Sequence, residues 1–303
     1  MRYIVSFYVG LFLLACNTDH DALPLGNGIT LKMAVEGGEV FEDNIYSLNI
    51  YAFRKSREGE YVYYRTLATL GKGEIDALED GADNKLFTTR LSWGNYKLFF
   101  VANASENYKG ELQPYVTKPS DVFLTMPEGG VDSVYFLGNT LLKVTDETIH
   151  PIPIELKRAV SRLGVVLYGV PESIDSIRFD LHNIATRIAI DGSVFPENTT
   201  LSGSYVMDNN DVYRKDTMNY SFLTFPTAVG KSDLSLTFVG KSGEEKSEVI
   251  SSVVLMPDQY AVVKGDIDDH MGAFLSFHVT IHYFILDNSK DFFLPDFTLT
   301  PSK

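Results

Sequence analysis

Cysteine is almost missing from this chain: Cys16 is the only one in 303 residues. Without a second thiol there is no intramolecular disulfide, so stability has to come from an apolar core. Hydrophobic residues make up 45% of the chain, enough to build one. Basic residues are scarce too, 26 against 40 acidic ones, for a formal net charge of −14. A surface of that sign repels nucleic acid and anionic lipid head groups. Beyond the first residues, no apolar run is long and charge-free enough for a transmembrane helix. The Gly-x-Ser-x-Gly elbow, the His-Glu-x-x-His pair, the phosphate loop and the dinucleotide fingerprint are all absent. No catalytic residue, small-molecule substrate or bound cofactor is expected.

What is present starts at the N-terminus. Arg2 precedes the apolar run Tyr3 to Leu14, which is shorter than the roughly 20 residues that span a bilayer. A charged head, a brief apolar run and a small residue at Ala15 form an export signal over 1–15. Leu13-Leu14-Ala15-Cys16 resembles the lipobox of bacterial lipoproteins. A thiol is the group that can carry diacylglycerol as a thioether, and cleavage before Cys16 frees an amine for an acyl chain such as palmitate. Several chains are needed, because one alone holds a protein only marginally. The competing readings are an ordinary signal peptide with a chance cysteine and an uncleaved anchor helix. Cleavage removes only Arg2 among the charged residues, leaving 25 basic and 40 acidic side chains and a net charge of −15. Residues 16–28, polar and then rich in turn formers, read as a tether. Asp19 and Asp21 within it resemble acidic signals for export to the outer surface.

From Ile29 the pattern alternates with period two, the mark of half-buried strands. Leu48, Ile50 and Ala52 share one face while Asn49, Tyr51 and Phe53 share the other. Ser56-Arg57-Glu58-Gly59 is a turn leading to a return strand, Glu60 to Arg65, and Leu67 to Asn84 reads as a polar connection. Tyr96, Leu98, Phe100 and Ala102 face one way on the next strand. An irregular stretch to Gly130 precedes a short strand from Asp132 to Gly138. Pro151-Ile152-Pro153 marks a break, and Ile154 to Val170 is expected as one long strand opening a second half. Further strands are expected around Ile177–Ile190, Tyr220–Phe225, Leu234–Val239, Val249–Leu255, Tyr260–Lys264 and Phe274–Ile285. The expectation is an all-β body of two β-sandwich domains in series, 29–153 and 154–303.

Several small constellations remain. His278 and His282 are four apart on a strand, about 13 Å along the chain and too far to chelate one ion unaided. Asp208 to Asp211 and Asp266 to His270 are oxygen-rich but lack the Gly and terminal Glu of an EF-hand, so they read as turns and hairpin tips. No metal is expected. Asp132-Ser133-Val134, Asp175-Ser176-Ile177 and Asp216-Thr217-Met218 resemble the Asp-Ser/Thr-apolar motif for O-glycosylation of exported Bacteroidales-type proteins, at Ser133, Ser176 and Thr217.

The lipobox, the β-rich first half, the strand Gly94-Asn95-Tyr96-Lys97-Leu98 ending in Ala102-Asn103, and Leu156-Lys157-Arg158-Ala159-Val160 occur in a telling order. That order resembles the Bacteroidales-type fimbrial anchor lipoproteins, the fimbrillin-associated anchor group. The resemblance implies two transthyretin-like β-sandwiches, a base held by lipid in the outer membrane at the cell surface, and a fimbrial shaft subunit as partner. It implies no catalytic residues. Fibres of this kind grow by one subunit lending a strand to the next, and an anchor whose N-terminus bears lipid should lend rather than receive. Phe297-Thr298-Leu299, between Pro295 and Pro301, is the candidate donor strand. The alternative for this tail is an ordinary last strand. The alternative for the whole chain is a lipid-tethered module that captures glycans beside an uptake transporter.

Overall fold

The computed structural model describes residues 25–81, 84–104, 108–109, 112–148, 151–207, 217–268 and 278–287. The fold is nearly all β. The first half supplies β1 (Leu25–Val35), β2 (Ser47–Lys55), β3 (Tyr61–Gly71), β4 (Glu79–Gly81), β5 (Asn84–Ser92) and β6 (Gly94–Ala102). Two short helices, α1 (Phe41–Asn44) and α2 (Lys72–Asp76), close one end. After β7 (Tyr108–Lys109) and β8 (Phe123–Thr125) come β9 (Phe136–Val144) and β10 (Ile152–Arg158).

Eight of these strands join in the order β3-β2-β6-β9-β10-β1-β5-β4. β10 is the strand that turns the corner. It runs parallel to β1 from Leu31↔Ile152 to Val35↔Leu156, then pairs antiparallel with β9 at Lys157↔Leu137 and Arg158↔Phe136. Gly138 permits the approach, since a Cβ there would stand 2.8 Å from Leu156 and 2.9 Å from the Glu155 carbonyl. The two leaves so joined enclose Ile29, Leu31 and Met33 of β1, Leu48, Ile50 and Ala52 of β2, and Tyr96, Leu98 and Phe100 of β6. The alternation read from the sequence thus puts these residues inside. The opposite faces of β2 and β6 are also buried, with Tyr51, Phe53, Phe99 and Val101 feeding a second core.

The second core belongs mainly to β11 (Ser161–Tyr168), β12 (Ile174–Ala185), β13 (Arg187–Ala189), β14 (Asn198–Val206), β15 (Thr217–Thr224), β16 (Ser232–Gly240), β17 (Glu245–Val253), β18 (Gln259–Asp268) and β19 (His278–Asp287). They form two four-stranded sheets, β15-β11-β18-β19 and β14-β12-β16-β17. Leu163, Val165 and Leu167 of one meet Ile177, Phe179 and Leu181 of the other, and the Phe179 and Phe222 rings stack at 4.7 Å. A third sheet, β13-β8-β7, is built from both halves of the chain.

Several sequence expectations change. The single strand from Ile154 is two, because the chain bends at Ala159-Val160. There the Ala159 N–H donates to the Tyr135 carbonyl at 2.8 Å, and the Val160 carbonyl accepts from the Asp258 N–H at 3.0 Å. The strand through Ile154 therefore completes the first sheet instead of opening the second half. Leu67 to Asn84 is not a polar connection: β3 runs on to Gly71, and α2 and β4 follow. Two bulges, at Tyr64 and Leu67, break the alternation of β3 and hide its length. β9 starts at Phe136 and reaches Val144, so the strand expected from Asp132 to Gly138 lies mostly further on. β14 has no counterpart among the expected strands. Asp266 and Asp268 lie on β18, not at a hairpin tip.

Candidate attachment site

Cys16 and the tail residues Phe297, Thr298 and Leu299 lie outside the described residues, as do Asp208 to Asp211, Asp269 and His270. The described residues begin at Leu25 and end at Asp287. β1 begins at Leu25, opposite Ser92 at the end of β5. β19 ends at Asp287, opposite Gln259, and among the described residues it is paired on one side only, with β18. An edge strand of this kind presents free backbone donors and acceptors to any further strand. His278 and His282 fall on β19, opposite Asp268 and Lys264 in register. Among the described residues no group of three His, Cys, Asp or Glu side chains is arranged to hold a metal.

Asn103 shows how the Ala102-Asn103 signature works. It takes a left-handed φ of 62° at the end of β6, a conformation that Asn tolerates better than most residues. Its Oδ1 accepts from the Tyr46 and Ser47 backbone N–H groups at 2.9 and 3.3 Å. Its Nδ2 donates to the Asn44 and Val134 carbonyls at 2.7 and 3.0 Å. One side chain thus ties α1, β2, β6 and the approach to β9. Nothing in the sequence near Asn103 names these partners, which come from distant segments.

Of the three glycosylation motifs, Ser133 is half-buried at this same corner, its Oγ donating to Asp132 Oδ1 at 3.2 Å. Ser176 lies near the start of β12, paired with Val206 on one side and Val239 on the other. Thr217 is the first residue of β15.

Where the halves meet, a cavity of about 400 Å³ is bordered by Leu137, Asn139, Glu155, Lys157, Arg158 and Asp191. Its charged groups are already engaged. Lys157 pairs with Glu36 at 2.6 Å and Glu155 at 3.4 Å, and Asp191 caps the Ser193 N–H at 3.0 Å. Arg158 pairs with Glu39 and, at 3.1 Å, with Asp258, and lies over the Phe136 ring. Burial pulls the Arg158 pKa down, yet hydrogen bonds to the two carboxylates outweigh it and hold the guanidinium above its ordinary value. Tyr51 beneath the first sheet is pushed up to about 12 by burial. These are structural perturbations, with no nucleophile, base or open ligand position among them.

Residues 18–266 match the family described as fimbrillin-A associated anchor proteins Mfa1 and Mfa2. The chain belongs to this family. The family is one of fimbrial structural proteins, not of enzymes, and its membership gives the chain a fimbria-associated role in adhesion at the cell surface. Solved structures share the fold. The fimbrial anchor protein Mfa2 of Porphyromonas gingivalis superposes with a TM-score of 0.55 at 14% identity, over 86% of this chain and 97% of that one. A proposed adhesin from Bacteroides ovatus gives 0.57 at 14% identity, over 88% and 97%. A fimbrial assembly protein from Parabacteroides distasonis gives 0.52 at 11% identity, over 86% and 100%. No curated protein matches the chain. The anchor family resemblance read from the Gly94 to Asn103 strand and from Leu156 to Val160 therefore holds.

Proposed function

We propose that this chain is an outer-membrane lipoprotein that anchors a fimbrial shaft, with diacylglycerol and an acyl chain on Cys16. The observation that carries this reading is position. Cys16, the chain's only cysteine, stands two residues ahead of the segment that matches the anchor family. Lipid at that point fastens the whole folded body without touching it. The shaft subunit is the partner, and the tail that follows β19 lends it a strand through Phe297, Thr298 and Leu299. What supports this is that β19, the last described strand, is paired on one side only among the described residues.

The glycan-capturing alternative is not favoured. The family match points to a fimbrial role, and a glycan platform would have to be built from the exposed Tyr46, Trp93, Tyr115 and Tyr168, since the rings of Phe53, Phe99, Phe179 and Phe222 are committed to cores.

Truncation after Lys290 tests the lent strand. Donation predicts an unchanged melting transition, with fibres released into the medium. A collapsed transition means that the tail belongs to this chain's own fold, and lending fails.

A further inference from the structure

The end of the first sandwich where the tether arrives differs in charge from the rest of this acidic protein. Leu25 pairs with Ser92, and Trp93 makes the turn from β5 into β6. Arg54 pairs with Tyr96 and Gly94 with Val144, so the β2–β3 hairpin and the end of β9 reach the same end. Arg54 Nη2 donates to the Trp93 carbonyl at 3.2 Å, and its guanidinium lies 5.9 Å from the Tyr64 ring centre. Arg65 lies over the same ring at 5.8 Å and donates to the Arg90 carbonyl. Tyr115 packs edge-on against Tyr64 at 6.1 Å.

Among the described residues, none of Arg54, Arg65 and Arg90 forms an ion pair with a carboxylate. Beside them, large side chains stand open to solvent: Trp93 is 39% exposed, Tyr115 50% and Val116 63%. This end also carries Glu58 and Glu60 in the β2–β3 hairpin and Asp146 and Glu147 after β9. Lys55, Arg57 and Lys143 stand with the three arginines there, and Lys118 pairs with Glu60 at 3.4 Å, so cations outnumber carboxylates. The opposite end has four carboxylates between Glu36 and Asp43 and four between Glu74 and Asp80. Unpaired arginines interleaved with exposed Trp and Tyr are the composition of a surface that rests in a lipid head-group layer.

We propose that this end of the protein docks on the membrane surface, Arg54, Arg65 and Arg90 meeting lipid phosphates while Trp93 and Tyr115 seat among the head groups. The inference rests on the reading of Cys16 as the lipid-bearing residue. Cys16 precedes Leu25 by nine residues, which span at most about 30 Å fully extended. A tether that short keeps the Ser92 end close to the bilayer. The net charge of −14 does not forbid the contact, because charges more than about 8 Å away are largely screened at physiological salt. Docking turns the acidic end outward and fixes the tilt from which the fibre starts.

The test uses the full chain with Cys16→Ser, exported but unlipidated, and vesicles of phosphatidylcholine with or without 30% phosphatidylglycerol. Trp93 is the only tryptophan, so its emission reports this end directly. Docking predicts a blue shift on the anionic vesicles, and quenching by lipids brominated near the head group. Each arginine should account for about a fivefold change in partitioning. Arg65→Gln with Arg90→Gln should therefore weaken binding about 25-fold without changing the melting transition. Unchanged Trp93 emission, equal response to both vesicles, or binding only to an acidic polysaccharide overturns the proposal. Palmitate labelling of the wild-type chain in cells reads the lipid separately. A labelled protein whose unlipidated form ignores the vesicles overturns docking alone; an unlabelled protein that binds them overturns the lipoprotein reading and keeps the patch.

Discussion

The Arg158 guanidinium, on the last strand of the first sheet, stands 3.1 Å from the Asp258 carboxylate in the turn before β18. With Glu39 on its other side it is a clasp between the two halves of the chain. Arg158 is only 18% exposed, so the pair is screened less than a surface bridge. Arg158→Ala should leave two partly exposed carboxylates without their hydrogen-bond donor and cost about 1–3 kcal/mol. Denaturant unfolding measures it, and Arg158→Lys should recover only part, since one ammonium cannot reproduce the fork.

Asn103 offers a two-part test. Asn103→Ala removes four side-chain hydrogen bonds and places at φ 62° a residue that tolerates the left-handed region less well than Asn, at a cost of about 2–4 kcal/mol. Asn103→Gly loses the same bonds but relaxes the backbone, and should be less destabilised by about 1 kcal/mol. Equal melting temperatures for the two variants would mean that φ carries no strain.

The buried Lys85 makes a pH prediction. Its ammonium sits between Asp80 and Glu42, 2.6 Å from the latter, with the side chain 3% exposed. Hydrogen bonds to Asp80 and then Glu42 raise the Lys85 pKa, and the bond from Lys85 lowers that of Glu42. A lowered carboxylate stabilises the fold above its unfolded value near 4.5, and that contribution is lost as pH falls through the folded one. A raised ammonium stabilises below 10.5 and loses that contribution as pH rises through its folded value. The gap in melting temperature between the wild type and Lys85→Met should therefore be widest between these limits and narrow on either side.

The sequence made the all-β class legible because β2 and β6 alternate cleanly into a core. It hid the second half of β3 because two bulges interrupt the period, and β14 because Thr-Ser-Gly-rich stretches resemble a loop. The bend at Ala159-Val160 was invisible for a different reason: its hydrogen bonds come from Tyr135 and Asp258, neither of them adjacent in sequence. The surface residues were hidden in the same way. Arg54, Arg65 and Arg90 are scattered along the chain, and only strand pairing brings them round Tyr64. The lipobox cysteine, by contrast, is a local signal and needs no fold to be read.

Limited proteolysis bears on how the halves are joined. β8 of the first half pairs with β13 of the second, and Arg187 of β13 lies over the Phe123 and Phe195 rings at 4.9 and 4.5 Å. Cleavage near Pro151 should then yield fragments that stay associated without denaturant, and calorimetry should show one transition. Two well-separated transitions would mean that the shared sheet contributes little.

The central claim is that lipid on Cys16 holds a fimbrial base to the cell, and substitution of that residue tests it most directly. In cells fed labelled palmitate, the wild-type chain should be labelled, fractionate with the outer membrane and retain fibres. Cys16→Ser should be unlabelled and folded, with the body and its fibres in the medium. A Cys16→Ser chain that remains in the membrane fraction through a carbonate wash, with fibres still on the cells, would contradict it.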